Sequence, residues 1–434
     1  MRTAPGWPKL SRWWPAVATL LLLGLTAGCA GPTRLAAVPT EATQRAQPLG
    51  IPNARFWADT DGPAMVREAQ EALARERAAN LSSGLVPASY LGLSGGSDNG
   101  AFGAGLLVGW SEAGTRPEFK LVTGISTGSL IAPFAFLGSS YDPQLREVYT
   151  TIGPADVYEE RWAPTAVFSD ALAGTDPLFR LISRYTDEKM LDEIAREYRR
   201  GRLLLIGTTN LDAQRPVIWN IGAIAASGRP GALDLFRKLL LASASVPGAF
   251  PPVLIDVELD GHHYQEMHVD GGAVAQTFLI PSAVGEAVNL RAKEHARQRT
   301  AYVIRNARLD PEWASTDRRL LSITGRAIST MIHYSGYNDV VRIYFTSQRD
   351  GVDYNLAYIG QDFVAPHKQN FDTAYMQALF EYGYAQGRHG PVWHKQPPIF
   401  AQPDGYEALT GAARSVTAPP DQAARGRLSI DVDQ

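Results

Sequence analysis

The chain has 434 residues, 45% of them hydrophobic, and a formal net charge of −3. Such a length suits one large domain or two ordinary ones, and such a composition can bury a sizeable core. With no basic excess, nucleic acid is excluded as the expected partner; with one cysteine, Cys29, an internal disulfide and a cysteine-rich metal cluster are excluded as well.

Residues 1–29 read as a signal peptide. Arg2, Lys9 and Arg12 come first, an apolar run follows from Trp13 through Leu25, and small residues lead to Cys29. The run is short for a membrane span, with an uncleaved anchor helix as the alternative. The stretch ending at Cys29 resembles the lipobox of bacterial lipoproteins, whose cysteine is lipid-modified and becomes the mature N-terminus. That resemblance implies a lipid-anchored protein of the bacterial cell envelope. In a Gram-negative cell it implies the outer membrane, because Ala30 is not an aspartate. Thr26 stands where leucine is usual, so ordinary cleavage beside Ala30, giving a periplasmic or secreted protein, stays open.

Residues 30–85 divide in two. Pro, Ala, Thr and Gln over 30–60 predict a flexible tether, and 63–80 predicts a surface helix with a solvated Arg/Glu face. Over 86–290, apolar runs predict strands at 90–93, 121–122, 203–206, 217–219, 253–257 and 264–269. Helical stretches fall at 101–110, 130–137 and 233–241. Strands alternating with helices indicate an α/β fold with a mainly parallel sheet. Residues 291–400, with a further strand at 301–304, read as a C-terminal extension of this domain, and 401–434 as a loose polar tail.

Gly124-Ile125-Ser126-Thr127-Gly128 fits G-x-S-x-G, between an apolar strand and an apolar helix. A serine on such a turn is lifted clear of the sheet, with a helix N-terminus beneath it. Gly92-Leu93-Ser94-Gly95-Gly96 fits the same pattern. It opens a long flexible run, however, whose backbone N–H groups suit an oxyanion hole better than a nucleophile. Asp270-Gly271-Gly272 closes a strand and offers a carboxylate as base, or a plain turn. His262, His263 and His268, among Asp256, Asp260 and Glu266, match no metal-ligand spacing and read as a solvated strand face. No metal or organic cofactor is expected.

The glycine-rich loop, the G-x-S-x-G and the D-G-G come in an order that resembles the patatin-like phospholipases, lipid acyl hydrolases with a Ser–Asp dyad. The segment Ser243-Ala244-Ser245-Val246-Pro247-Gly248-Ala249-Phe250-Pro251-Pro252 adds to the likeness, which spans about residues 86 to 275. The resemblance implies a three-layer α/β fold with a mainly parallel central sheet and, in this chain, a helical C-terminal extension. It implies Ser126 as nucleophile, Asp270 as base, and Gly95, Gly96 and Ser97 as the oxyanion loop. The expected activity is that of a phospholipase A or carboxylesterase acting on a lipid ester. Ser97 replaces the family's third glycine and Asn99 its basic residue, which leaves phospholipid against simpler ester open. Two alternatives remain. One is an α/β-hydrolase triad completed by His295, His333, His367, His389 or His394. The other is a non-catalytic, lipid-binding envelope lipoprotein.

Overall fold

The computed structural model describes residues 34–79, 86–160, 173–279, 297–390 and 393–400. The signal segment with Cys29, His295 and the 401–434 tail lie outside the described residues.

In chain order, β1 (Arg55–Trp57), α1 (Gly62–Ala79) and β2 (Ala88–Leu93) come first. The helix α2 (Gly100–Glu112) leads to β3 (Phe119–Gly124), and α3 (Thr127–Leu137) follows at once. Then come α4 (Asp142–Thr151), α5 (Asp176–Tyr185), α6 (Glu188–Arg199), β4 (Leu203–Asn210) and β5 (Arg215–Asn220). Two helices, α7 (Ile221–Ala226) and α8 (Ala232–Ser243), precede the hairpin β6 (Val253–Leu259) and β7 (His262–Asp270). The remainder is β8 (Arg299–Arg305), α9 (Leu320–Asp350), β9 (Asp353–Tyr358) and α10 (Thr373–Arg388).

Among the described residues these strands make one sheet in the order β1-β5-β4-β3-β2-β8-β9. The five strands β9, β8, β2, β3 and β4 run parallel. At one side β5 and β1 continue antiparallel. The β6–β7 hairpin folds onto the end of β4, with Asp270 opposite Thr208.

Strand side chains alternate between faces, and this sorts the core. Leu91, Leu93, Val122, Leu204 and Ile206 face Phe102, Ile131, Phe236 and Phe380, on α2, α3, α8 and α10. Leu121 and Leu205 face the other way, against Met65 of α1. Val303 and Leu356 meet Val340 and Ile343 of α9. Helices therefore cover both faces, and the sheet is the middle of three layers. Each fully buried Leu or Phe contributes roughly 1.5–3 kcal/mol to that packing.

The C-terminal segment supplies helices α9 and α10, and also two strands that extend the parallel sheet past β2. Its helix α10 lies against α2 at backbone distance. A Cβ at Gly105 would sit 2.0 Å from the Phe380 carbonyl oxygen, and one at Gly383 would sit 2.3 Å from that of Phe102. The extension thus shares the sheet and packs against α2.

Two expectations for the N-terminal part need correction. Residues from 34 onward are packed on the domain, not loose. Val38, Ala42, Ala46, Ile51 and Ala54 are buried. Arg34 forms two 2.9 Å bonds to the Asp212 carboxylate, and Gln47 and Glu258 exchange backbone hydrogen bonds at 3.0 Å. The four-residue spacing of Val38, Ala42 and Ala46 is the signal that bulk composition hid. On α1, Glu68 and Glu76 are buried rather than solvated. Glu68 is held by Arg75 and the Tyr198 hydroxyl, and Glu76 by Lys120 and Arg297.

Candidate active site

Leu93 of β2 and Gly124 of β3 are register partners, Gly124 pairs with Ile206 of β4, and Asp270 pairs with Thr208. The sheet therefore brings the Ser94 loop, Ser126 and Asp270 to the carboxyl ends of adjacent parallel strands. Open α/β sheets place ligands at that edge.

Ser126 sits between β3 and α3 with φ 54° and ψ −129°. A non-glycine residue there stores about 1–3 kcal/mol of strain. The flanking glycines allow helix and strand to meet so closely. A Cβ at Gly124 would lie 2.4 Å from the Gly128 carbonyl oxygen, and one at Gly128 would lie 2.3 Å from that of Leu93. The Ser126 N–H donates to Ser243 Oγ at 3.1 Å, and Ser243 Oγ donates to the Gly207 carbonyl at 2.7 Å.

Asp270 is buried at the end of β7. Its N–H donates to the Ser245 carbonyl at 2.8 Å, and its Oδ1 accepts the Gly272 N–H at 2.6 Å. Its Oδ2 is buried without a hydrogen-bond partner. Burial pushes the carboxyl up to about 7, against the downward pulls of the neighbouring Ser126 hydroxyl and the Gly272 N–H. The Ser126 hydroxyl is thus close enough to act on Asp270, although no well-aligned hydrogen bond joins them in this resting arrangement. Resting sites often tighten such contacts only around substrate.

Ser94 is placed differently from Ser126. It is fully buried, its Oγ donates to the Gly95 carbonyl at 2.7 Å, and that Oγ accepts the Asn306 N–H at 2.8 Å. The glycine loop itself lies beside Ser126. A Cβ at Gly95 would stand 3.2 Å from the Ser126 Cβ, and one at Gly96 only 2.0 Å from the Asn306 carbonyl oxygen. One detail departs from expectation: the Gly95 N–H is already given to the Gln276 carbonyl at 3.0 Å. Among the described residues, the N–H groups of Gly96, Ser97 and Asp98 meet no acceptor. Ser97, with φ 54°, begins the short 3-10 turn that leads into α2.

Residues outside the motifs hold these loops. Asp98 Oδ2 accepts the Phe371 N–H and His367 Nε2, both at 2.8 Å. Asn99 Oδ1 accepts the Tyr375 hydroxyl at 2.7 Å. Gln276 Nε2 donates to the Gly272 carbonyl at 2.8 Å, and Asp339 Oδ2 accepts the Gln276 N–H at 2.6 Å. No motif in the sequence marked Gln276, Asp339 or Asn306.

Among the described histidines, none hydrogen-bonds Ser126 or Asp270. His333 touches the Tyr334 ring, His367 holds Asp98, His389 caps α10, and His394 bridges to Leu356. His262 and His263 are exposed, but His268 and Glu266 are buried, against the expectation of a solvated strand face. His268 bonds Thr208 Oγ1 at 2.9 Å and Glu266 at 3.2 Å, and Glu266 pairs with Arg55.

A cleft of about 310 Å³ opens beside the site backbone. Ile125, Gly271, Val274, Ala275, Phe278 and Ile218 line it, which makes it mostly apolar.

Residues 91–283 match the family model described as patatin-like phospholipase. No curated protein sequence matches the chain. Among solved structures, VipD from Legionella pneumophila is similar over 70% of this chain and 67% of that chain. The identity is 11% and the TM-score 0.28, an overlap too loose to bear on function.

Proposed function

We propose that the protein is a serine lipid acyl hydrolase with a Ser126–Asp270 dyad, on the premise of the patatin-like phospholipase model that residues 91–283 match. One observation carries the reading: a strained elbow serine stands beside a fully buried carboxylate whose pKa is lifted to about 7. Free aspartate, near 3.9, is a poor base, and burial makes this one competent at neutral pH.

In the first half-reaction Asp270 takes the Ser126 proton while Oγ bonds to the ester carbonyl carbon. The N–H groups of Gly96 and Ser97 hold the resulting oxyanion. As the tetrahedral intermediate collapses, the proton passes to the leaving alcohol and an acyl-serine remains. Water then attacks the acyl carbon, giving its proton to Asp270; as the acyl–Oγ bond breaks, that proton passes to Ser126 Oγ and the fatty acid leaves. The apolar cleft beside Ile125 and Gly271 is the proposed seat of the acyl chain.

The N-terminus is proposed as a lipid anchor at Cys29 in a bacterial cell envelope, at the outer membrane where the cell is Gram-negative. Arg34 is bonded to Asp212 on the domain, so the proposed tether from Cys29 would span five residue steps, at most about 18 Å.

A fluorophosphonate probe together with phospholipid and p-nitrophenyl ester assays tests the reading. Wild type should label and turn over, and Ser126→Ala should do neither while keeping its melting transition. A Ser126→Ala variant that still labels would show the nucleophile to be elsewhere.

A further inference from the structure

Arg305 ends β8 with only 2% of its surface exposed. Burial lowers its pKa to about 10, so it remains a cation at neutral pH. Among the described residues it forms no ion pair within bonding distance, and its Nε has no hydrogen-bond partner. Asp339 acts on it only through its field. Gly336 of α9 makes room for it, since a Cβ there would lie 2.4 Å from Nη2. A buried charge so poorly compensated is destabilising, and packing alone gives no reason for it.

Its neighbour supplies a reason. Arg305 Nη1 lies 3.4 Å from the Gly95 carbonyl oxygen, to which Ser94 Oγ also donates at 2.7 Å. That carbonyl shares its peptide group with the N–H of Gly96, one of the donors left without an acceptor. In a trans peptide the C=O and N–H point in opposite directions. Holding the oxygen inward against Ser94 and Arg305 therefore turns the Gly96 N–H outward. Drawing electrons toward that oxygen also makes the N–H a stronger donor.

We propose that Arg305 is a positioning residue for the acyl-transfer reaction: its buried cation polarises and orients the Gly95–Gly96 peptide, whose N–H meets the developing oxyanion. The proposal rests on the dyad reading above. It also assigns part of the site's electrostatics to β8, outside the family-matched residues 91–283.

The test compares the full-length wild type with Arg305→Met and Arg305→Lys. It measures kcat and KM on p-nitrophenyl butyrate, and binding of two inhibitors. A trifluoromethyl ketone forms a tetrahedral alkoxide on the serine; a matched ether analogue does not. Arg305→Met should lose roughly 10–100-fold in kcat, somewhat less than removal of a direct oxyanion donor. Its KM should stay within about threefold, since the interaction strengthens only in the transition state. Ketone affinity should fall by the same factor as kcat, ether affinity should hold, and Arg305→Lys should recover most of the loss. A folded Arg305→Met with wild-type kcat would overturn the proposal, as would equal loss of ketone and ether binding. Should Arg305→Met fail to fold, Ser94→Ala weakens the same peptide: kcat should drop several-fold at constant KM, and an unchanged kcat overturns the proposal. If the wild type shows no Ser126-dependent turnover, the dyad reading falls and takes this proposal with it.

Discussion

The backbone N–H of Ser126 is held by Ser243 Oγ at 3.1 Å, and two residues later the carbonyl of Ser245 accepts the N–H of Asp270 at 2.8 Å. The end of α8 and the turn after it therefore hold the backbones of both Ser126 and Asp270. The Ser243 bond also occupies the Ser126 N–H, which leaves the proposed oxyanion donors to Gly96 and the residues after it.

Ser243→Ala should leave that buried N–H without an acceptor. An orphaned donor of this kind costs about 1–3 kcal/mol. Urea unfolding should show that loss, and activity should fall by roughly tenfold as the strained elbow relaxes. Unchanged stability would mean that the elbow is held by strand and helix packing alone.

Asp270→Asn should abolish turnover, because an amide cannot accept the serine proton. The same variant should be more stable than wild type at neutral pH. The sign follows from the raised pKa: the folded state holds its proton up to about pH 7, the unfolded state only to about 4. Burial of the ionised form thus costs increasing stability from pH 4 to 7 and a constant amount above. Thermal melts of both proteins should diverge over that window. The wild-type kcat/KM should rise with pH along a limb centred near 7, and a limb near 4 would show that burial does not raise the Asp270 carboxyl.

No histidine should be indispensable. Replacing His295, His333, His367, His389 and His394 singly by Gln should leave kcat/KM within about tenfold, or about 1.4 kcal/mol of barrier. His367→Gln is the most sensitive of the five, since it loosens Asp98 beneath the oxyanion turn. Any one that falls as far as Asp270→Asn while folded would establish a triad.

The Arg55–Glu266–His268 cluster should make the fold acid-sensitive. Burial opposes ionisation of Glu266, but bonding to His268 and the charge of Arg55 bring it down to about 2. Burial holds His268 below its ordinary value. Both groups bind protons more readily when unfolded. Stability should therefore decline below about pH 6.5 through His268, and further below about 4.5 through Glu266. Arg55→Met should leave a buried carboxylate unpaired, cost about 3–5 kcal/mol, and flatten the acid limb. Urea midpoints across pH 3–8 measure both effects.

Cys29→Ser should release the protein from membranes of the native host into the soluble fraction. Intact-mass analysis of the wild type should find an acylated Cys29 as the mature N-terminus. A mature chain beginning beyond Cys29 would remove the anchor from the proposal.

Local sequence determined the strands that became β2, β3 and β4, because their apolar runs are flanked by glycines and helical stretches. It determined the elbow at Ser126 and the carboxylate turn at Asp270 for a similar reason. Each is a short motif whose backbone needs, a sharp bend or a strand end, are written in adjacent residues. What it left undecided was everything that depends on distant contacts. The two competing G-x-S-x-G runs are equal as strings and only their context favours Ser126; the burial of Ser94 against Asn306, 212 residues later, was not legible. Gly95 belonged to the loop as expected, but its N–H was lost to Gln276, a partner no motif announced. Composition over 30–60 suggested a tether, whereas the packing of Val38, Ala42 and Ala46 is set by the domain surface they meet. The C-terminal segment was expected to be helical with one strand at 301–304; that it adds two strands to the sheet depends on the parallel edge that β2 presents. Hydrogen bonding and burial across a sheet act between residues far apart in the chain, so tertiary structure alone decided which polar groups were consumed and which remained free to act.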